Sequence, residues 1–426
     1  MVRQPDHAMA LSSYFPGHGD RAFGVEHYDL SLRYRVTTNW LDGIAVLSVV
    51  LAESTADLTL DLGPFRVSGV TVDGAAVRYT HQQGRLRLTL ASARPSGTRL
   101  AVQVRYAGAP RPVQSVWGGL GWEELTDGAL VAGQPIGAPS WFPCNDRPDD
   151  KATYRITVST ASAYLVVANG ELVERRRAAG ATTWVYAQEQ PMASYLASVQ
   201  IGRYRLAGGL ACPPGLAARA RHDFGRQDAM MTLFADRFGP YPFDRYTVVV
   251  TDDELEIPVE AQGLSIFGRN HVDGRRGSER LVAHELAHQW FGNSLTAGHW
   301  RDIWLHEGFA AYAEWLWSEE SGGPPAAEHA RRWHRRLTIL PQDFLLADPG
   351  PDLLFDDRVY KRGALTVHGL RHELGDQVFF TMLRSWTAEH RHGTVTTETF
   401  VSHAQRHTPY PLGPFFSAWL YGPRLP

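Results

Sequence analysis

The hydrophobic period changes once along the chain, and that change limits the architectures open to it. From about residue 20 to 205, apolar residues recur at every second position. Tyr28, Leu30, Leu32, Tyr34 and Val36 form one such run, and Leu86, Leu88 and Leu90 another. Leu100, Val102, Val104 and Tyr106 form a third, and Tyr154, Ile156 and Val158 a fourth. Alternation buries one face of a strand and wets the other. Turn-forming pairs such as Asp42-Gly43, Asp73-Gly74 and Asn169-Gly170 separate the runs. From Ser278 onward the spacing is helical, and helices are predicted near 278–291, 305–320, 325–340, 361–374, 377–388 and 396–406. Between the two regimes, Ala229–Phe238 reads as a helix, Tyr246–Val250 as a strand, and 208–215 as a linker or surface loop. The expected fold class is therefore α+β in two domains. An N-terminal antiparallel β domain covers 1–207, and a mainly helical domain covers 208–426.

Charge narrows the partners. Lys+Arg number 42 against 45 Asp+Glu, a formal net charge of −3. A polybasic nucleic-acid or lipid-surface binder needs a positive excess, so neither partner is expected. Only Lys151 and Lys361 are lysines; the other basic residues are arginine, which reads as a compositional bias. Two cysteines, Cys144 and Cys212, cannot make a disulfide framework for a chain of this length. The N-terminus lacks a basic-then-apolar leader pattern, and no run of about 18 apolar residues occurs. The expected location is cytoplasmic. The 18 His and 13 Trp are left needing a local explanation.

Part of that explanation is His284-Glu285-Leu286-Ala287-His288. Residues four apart share a helix face, so both imidazoles can reach one metal ion. Glu285 projects about 100° away, which sets its carboxylate beside the metal and within reach of a water. Glu307 follows after 18 intervening residues, near the start of the next predicted helix, and can return as a third ligand. Three protein ligands with an open fourth position describe a catalytic zinc site, one Zn2+ per chain. The five-residue motif arises by chance in roughly one chain of this composition in 30, and with Glu at a set distance in about one in 600. Glu314, seven residues beyond Glu307 and on the same helical face, is a candidate for orienting a ligand histidine. His368 and His372 are also four apart, but lack the intervening Glu and a third ligand, and read as ordinary histidines.

These residues, with their neighbours, resemble a known family. His284–Asn293 (HELAHQWFGN) and Trp304–Ala310 (WLHEGFA) are similar to the zinc signature of M1 aminopeptidases, the gluzincin group. Phe142–Pro148 (FPCNDRP), Gly239–Phe243 (GPYPF) and Val359–Gly363 (VYKRG) resemble further landmarks of that family, in its order. The resemblance runs from about residue 22 onward. It implies a saddle-like β domain followed by a thermolysin-like catalytic domain, in a short form without the family's C-terminal helical domain. It implies Tyr360 as the donor to the reaction's oxyanion, and Glu260 with Gln134 as the holders of a peptide's free α-amine. Where the family carries Gly-x-Met-Glu-Asn, this chain reads Val259-Glu260-Ala261 with Gly263-Leu264 after it, so Gly263 is assigned to substrate binding as well. Pro258 removes one N–H from that segment, and His306 stands where the family usually has Asn.

The function so implied is a zinc-dependent aminopeptidase acting on peptide substrates, with Glu285 and Tyr360 catalytic. Two alternatives stay open on sequence grounds: a zinc endopeptidase or amidase with an open cleft, and a non-catalytic peptide- or protein-binding scaffold.

Overall fold

The computed structural model describes residues 14–426. The period-two runs become strands, and their alternation reads directly as burial: in Phe23–Arg35, residues Tyr28, Leu30, Leu32 and Tyr34 are all buried. An eight-stranded sheet has at its heart Phe23–Arg35, Trp40–Leu51, Arg99–Gly108, Ala152–Ala161 and Ala181–Met192. Its pairings are antiparallel except one: Phe23–Arg35 runs parallel to Ala152–Ala161, with Tyr28 opposite Tyr154 and their rings stacked at 4.9 Å. Cys144, expected as a small buried hydrophobe, is fully buried, and both cysteines are free thiols.

The chain forms two compact units. One comprises His18–His222 and Phe243–Arg275; the other comprises Asp223–Pro242 and Arg276–Pro426, with the stretch that ends at Gly17. Residues 208–215 are not a free linker. Arg205–Ala207 and Leu210–Cys212 pair as a hairpin, and Leu210–Cys212 continues into a five-stranded sheet beside Thr247–Val250. The Gly208-Gly209 signal that suggests a linker marks the tight turn of that hairpin, since both residues hold positive φ.

The helical unit contains α1 (Gln227–Phe238), α2 (Glu279–Ala287), α3 (Trp304–Glu320), α4 (Ala326–Leu337), α5 (Asp357–Leu374), α6 (Asp376–Glu389), α7 (Thr397–Gln405) and α8 (Gly413–Leu420). Among the described residues no helix is long and apolar enough to cross a membrane. Much of the tryptophan supply is core: Trp290, Trp304, Trp315 and Trp386 are nearly fully buried. Phe291 stacks on Phe309 with centroids 4.4 Å apart, which pins the segment after α2 to α3.

The α3–α5 crossing is close. A Cβ at Gly363 would lie 2.6 Å from Gly308 Cα, and one at Gly308 would lie 2.8 Å from Gly363 Cα. Backbone thus meets backbone where any larger residue would hold the helices apart. Helix propensity alone would make Gly→Ala stabilising by about 1 kcal/mol. Overpacking a close crossing costs roughly 1–3 kcal/mol or more, and the atoms here are backbone, which cannot swing away. The sign is therefore negative: Gly363→Ala and Gly308→Ala should each lower the thermal midpoint. A calorimetric scan showing a rise would contradict the crossing.

Candidate metal centre

α2 carries His284 and Glu285 inside the helix, with His288 at its C-cap. The helix stops before the predicted residue 291 because the chain tightens there: Trp290 N–H bonds Ala287 O, and Asn293 N–H bonds His288 O. Gly292 makes the reversal at φ +123°, a conformation closed to most side chains, and a Cβ there would press on His288 Nδ1 at 3.3 Å. The chain then returns as α3 with Glu307 in its first turn.

The reversal brings three candidate ligands together. His284, His288 and Glu307 are all buried, and one donor atom from each lies within 4.8 Å of the others. His284 Nε2 is 3.4 Å from Glu307 Oε2, and His288 Nε2 is 3.5 Å from the same oxygen. The other ring nitrogens face acceptors. His284 Nδ1 is 2.8 Å from Glu314 Oε1, and His288 Nδ1 is 3.0 Å from the Phe291 carbonyl. With the proton held at each Nδ1, both Nε2 lone pairs point toward Glu307, the tautomer a metal requires. Two imidazole nitrogens and a carboxylate make a donor set suited to zinc, and the residues fit the ion.

Electrostatics keep the carboxylates charged. Burial pushes Glu307 up, but the His288 and His284 imidazoles outweigh it and hold its pKa well below the usual carboxylate range. Burial likewise raises Glu314, yet Lys361, the hydrogen bond from His284 and Arg280 bring it down to about 2. In the metal-free protein burial lowers His284, while Glu307 and Glu314 raise it further, so the net shift is upward.

Glu314 is placed as its spacing suggested, and two of its partners were not read from sequence. Arg280 Nη1 reaches both carboxylate oxygens at 2.9 Å, and Lys361 Nζ lies 3.7 Å from Oε2. The position of Arg280, four residues before His284, was the available signal; for Lys361 it was rarity alone. Tyr360 lies on α5 with its ring stacked 6.0 Å from His284 at 13°. Glu285 is buried on α2. His306 does not face the ligands: its Nε2 accepts from Ala297 N–H at 2.7 Å and braces the return loop.

The remaining candidates lie in the β-rich unit. Glu260 is half-buried on Val259–Ala261, opposite Ser265 in an antiparallel pair. That strand is at the sheet edge and begins one residue after Pro258, so the missing N–H costs no ladder bond. Gly263 turns the hairpin at φ +74°, and its carbonyl accepts from Thr247 N–H. Gln134 follows strand Gly128–Ala132, and its Nε2 is buried without a hydrogen-bond partner in the structure.

Comparison with known proteins bears on the family and the fold. Residues 25–196 match the Peptidase M1 N-terminal domain, and residues 223–419 match the Peptidase family M1 domain. Aminopeptidase M1 of Arabidopsis thaliana is 25% identical over 68% of this chain and 36% of its own length. Human aminopeptidase B is 24% identical over 94% of this chain and 68% of its own. The chain thus spans well under half of the Arabidopsis protein. A solved M1 zinc metallopeptidase from Deinococcus radiodurans, a variant bound to a Tyr-Ser-Ala substrate, superposes with a TM-score of 0.88 at 29% identity. That likeness covers 97% of this chain and 98% of the other.

Two outcomes follow for the metal. Glu314→Ala should weaken zinc affinity by about 10–100-fold, the usual cost of removing a ligand's orienting partner, as read by chelator competition. Zinc uptake should release protons and strengthen as pH rises through neutrality, because metal-free His284 holds its proton above the ordinary histidine range. Calorimetry in buffers of different ionisation enthalpy measures that release.

Proposed function

The chain belongs to peptidase family M1, and from that premise we propose that it is a zinc-dependent aminopeptidase that removes the N-terminal residue of peptides. The observation that carries the reading is the convergence of His284, His288 and Glu307 within 4.8 Å, with both Nδ1 atoms facing acceptors elsewhere. These three residues would hold Zn2+. When bound, the ion supplies Lewis-acid polarisation of the scissile carbonyl and lowers the pKa of a water toward about 7.

The rest of the work belongs to the chain's own side chains. Glu285, one position after His284, takes the proton of the attacking water and delivers it to the leaving nitrogen, serving as general base and then acid. Tyr360 donates a hydrogen bond to the substrate oxygen as negative charge develops there. Glu314 keeps the His284 ring in register. Glu260 and Gln134 receive the substrate's ammonium, Gln134 through its amide oxygen, and Gly263 lets the backbone beside them approach the peptide. Reading the free amine fixes the cleavage point one residue in. The related Deinococcus metallopeptidase is described bound to a tripeptide substrate and to L-arginine, which match the substrate and product classes this reading requires.

Glu285→Gln should keep the metal and lose about 10²–10⁴ in kcat, the usual share of a general acid–base group. Full metal content with turnover near that of the unaltered enzyme would sink the mechanism. A free-amine aminoacyl amide should be cleaved and its N-acetylated form refused. Equal rates on the two would instead indicate an endopeptidase or amidase.

A further inference from the structure

The helical unit holds a cavity of about 510 Å3 on the far side of His284 from the nitrogen that faces Glu307. Glu314, which bonds His284 Nδ1, forms part of its wall. The volume lies within the range of small-molecule sites. We infer that this cavity binds a small aromatic carboxylate, separately from the proposed peptide site.

Three features of the wall lead there. The first is shape: Trp315, Trp317 and Trp333 line the space, with His329 stacked 6.0 Å from Trp315 at 11°, so a flat apolar body meets flat faces. The second is Lys361. It is 5% exposed, and its Nζ lies 3.7 Å from Glu314 and 4.0 Å from Asp357, beyond hydrogen-bonding range of both. Among the described residues no hydrogen bond to this ammonium occurs; its closest further contact is the Trp333 ring, 5.3 Å away. The ammonium therefore keeps its three donors uncommitted at the cavity wall, and a carboxylate entering the cavity supplies acceptors.

The third feature is the sign of what is left over. Glu314 is already engaged by His284 and by Arg280. Glu279 accepts from Arg226 through Oε2 at 3.2 Å, and its Oε1 is ion-paired at 3.9 Å with Arg276. Asp357 is mostly exposed. Arg336, exposed on α4, lies 4.8 Å over the Trp333 ring at the cavity wall. A ligand anion therefore meets Lys361 and Arg336, with an indole face between them, whereas a ligand cation would meet two positive charges.

The zinc-loaded full chain titrated with 3-phenylpropionate, which carries no amine, should bind saturably with a change in tryptophan emission. 3-Phenylpropionamide and inorganic phosphate should each bind at least tenfold more weakly, one lacking the charge and the other the ring. Lys361→Met, Arg336→Gln and Trp333→Ala should each weaken binding several-fold. The last two lie outside the proposed catalytic groups and should leave zinc content and turnover unchanged, so they carry the test if Lys361→Met does not fold. Saturating leucine hydroxamate, directed at the metal, should not displace the ligand. Equal affinity for acid and amide, equal affinity for phosphate, displacement by the hydroxamate, unaltered binding in the α4 variants, or no saturable binding at millimolar concentration would each overturn the assignment.

Discussion

One buried carboxylate, Glu314, joins the three helices on which the proposed metal centre depends. α3 supplies it, α2 meets it with His284 and Arg280, and α5 meets it with Lys361. Taking a carboxylate out of water is worth several kcal/mol against folding, and only well-placed opposite charges and donors recover that loss. Here the recovery is geometric: if any one helix slid by an ångström, a partner would leave and the charge would stand uncompensated. The network therefore does more for position than for net stability. It holds His284 with its proton on Nδ1, and that fixes which nitrogen is offered to a metal.

The glycine crossing is what permits the network. With Gly308 and Gly363 in backbone contact, α5 lies close enough to α3 for Tyr360 to stack near His284 and Lys361 to approach Glu314. Gly308 directly follows Glu307, so the same tight point that admits α5 also sits beside the proposed third ligand. His288 is held differently. Its Nδ1 partner is a backbone carbonyl, Phe291 O, presented by the turn that Gly292 makes possible. One ligand is thus fixed by a side-chain network and the other by local backbone geometry, and the two routes share no residue.

What could be read from the sequence was whatever depends on local periodicity. His284 and His288 four apart, Glu307 on the next helix and Glu314 two turns further are consequences of helical spacing, which a sequence displays. The hairpin at 205–212 was not legible, because Gly208-Gly209 marks a flexible linker and a tight turn equally well. Only the pairing of Leu210–Cys212 with Thr247–Val250, about 37 residues on, separates the two. The end of α2 was misjudged for a related reason. Leu286–Phe291 keeps a helical apolar pattern, but the Phe291–Phe309 contact and Gly292 reward an early reversal over four more helical residues. Arg280 stands one turn before His284 and Lys361 stands out by rarity, but neither fact names Glu314 as the partner, since charge pairing across helices has no signature in one chain's spacing.

The adjacent cations Lys361 and Arg362 give the arginine-rich composition a structural meaning at one point. Arg362 is buried, and its guanidinium donates to the carbonyls of Trp419, Gly422 and Pro423, the end of α8 and the residues after it. Burial brings its pKa down to about 10, so it remains charged. That role needs a planar fork with donors spread in fixed directions, which only arginine has. The next position back needs the opposite: a compact charge that can stand near Glu314 without claiming both of its oxygens, which Arg280 and His284 already occupy. An arginine at 361 would carry its donors into a fork competing for the same carboxylate and would fill space in the cavity beyond it. At 361 lysine stands in this largely arginine-built chain because a point charge fits there and a fork does not.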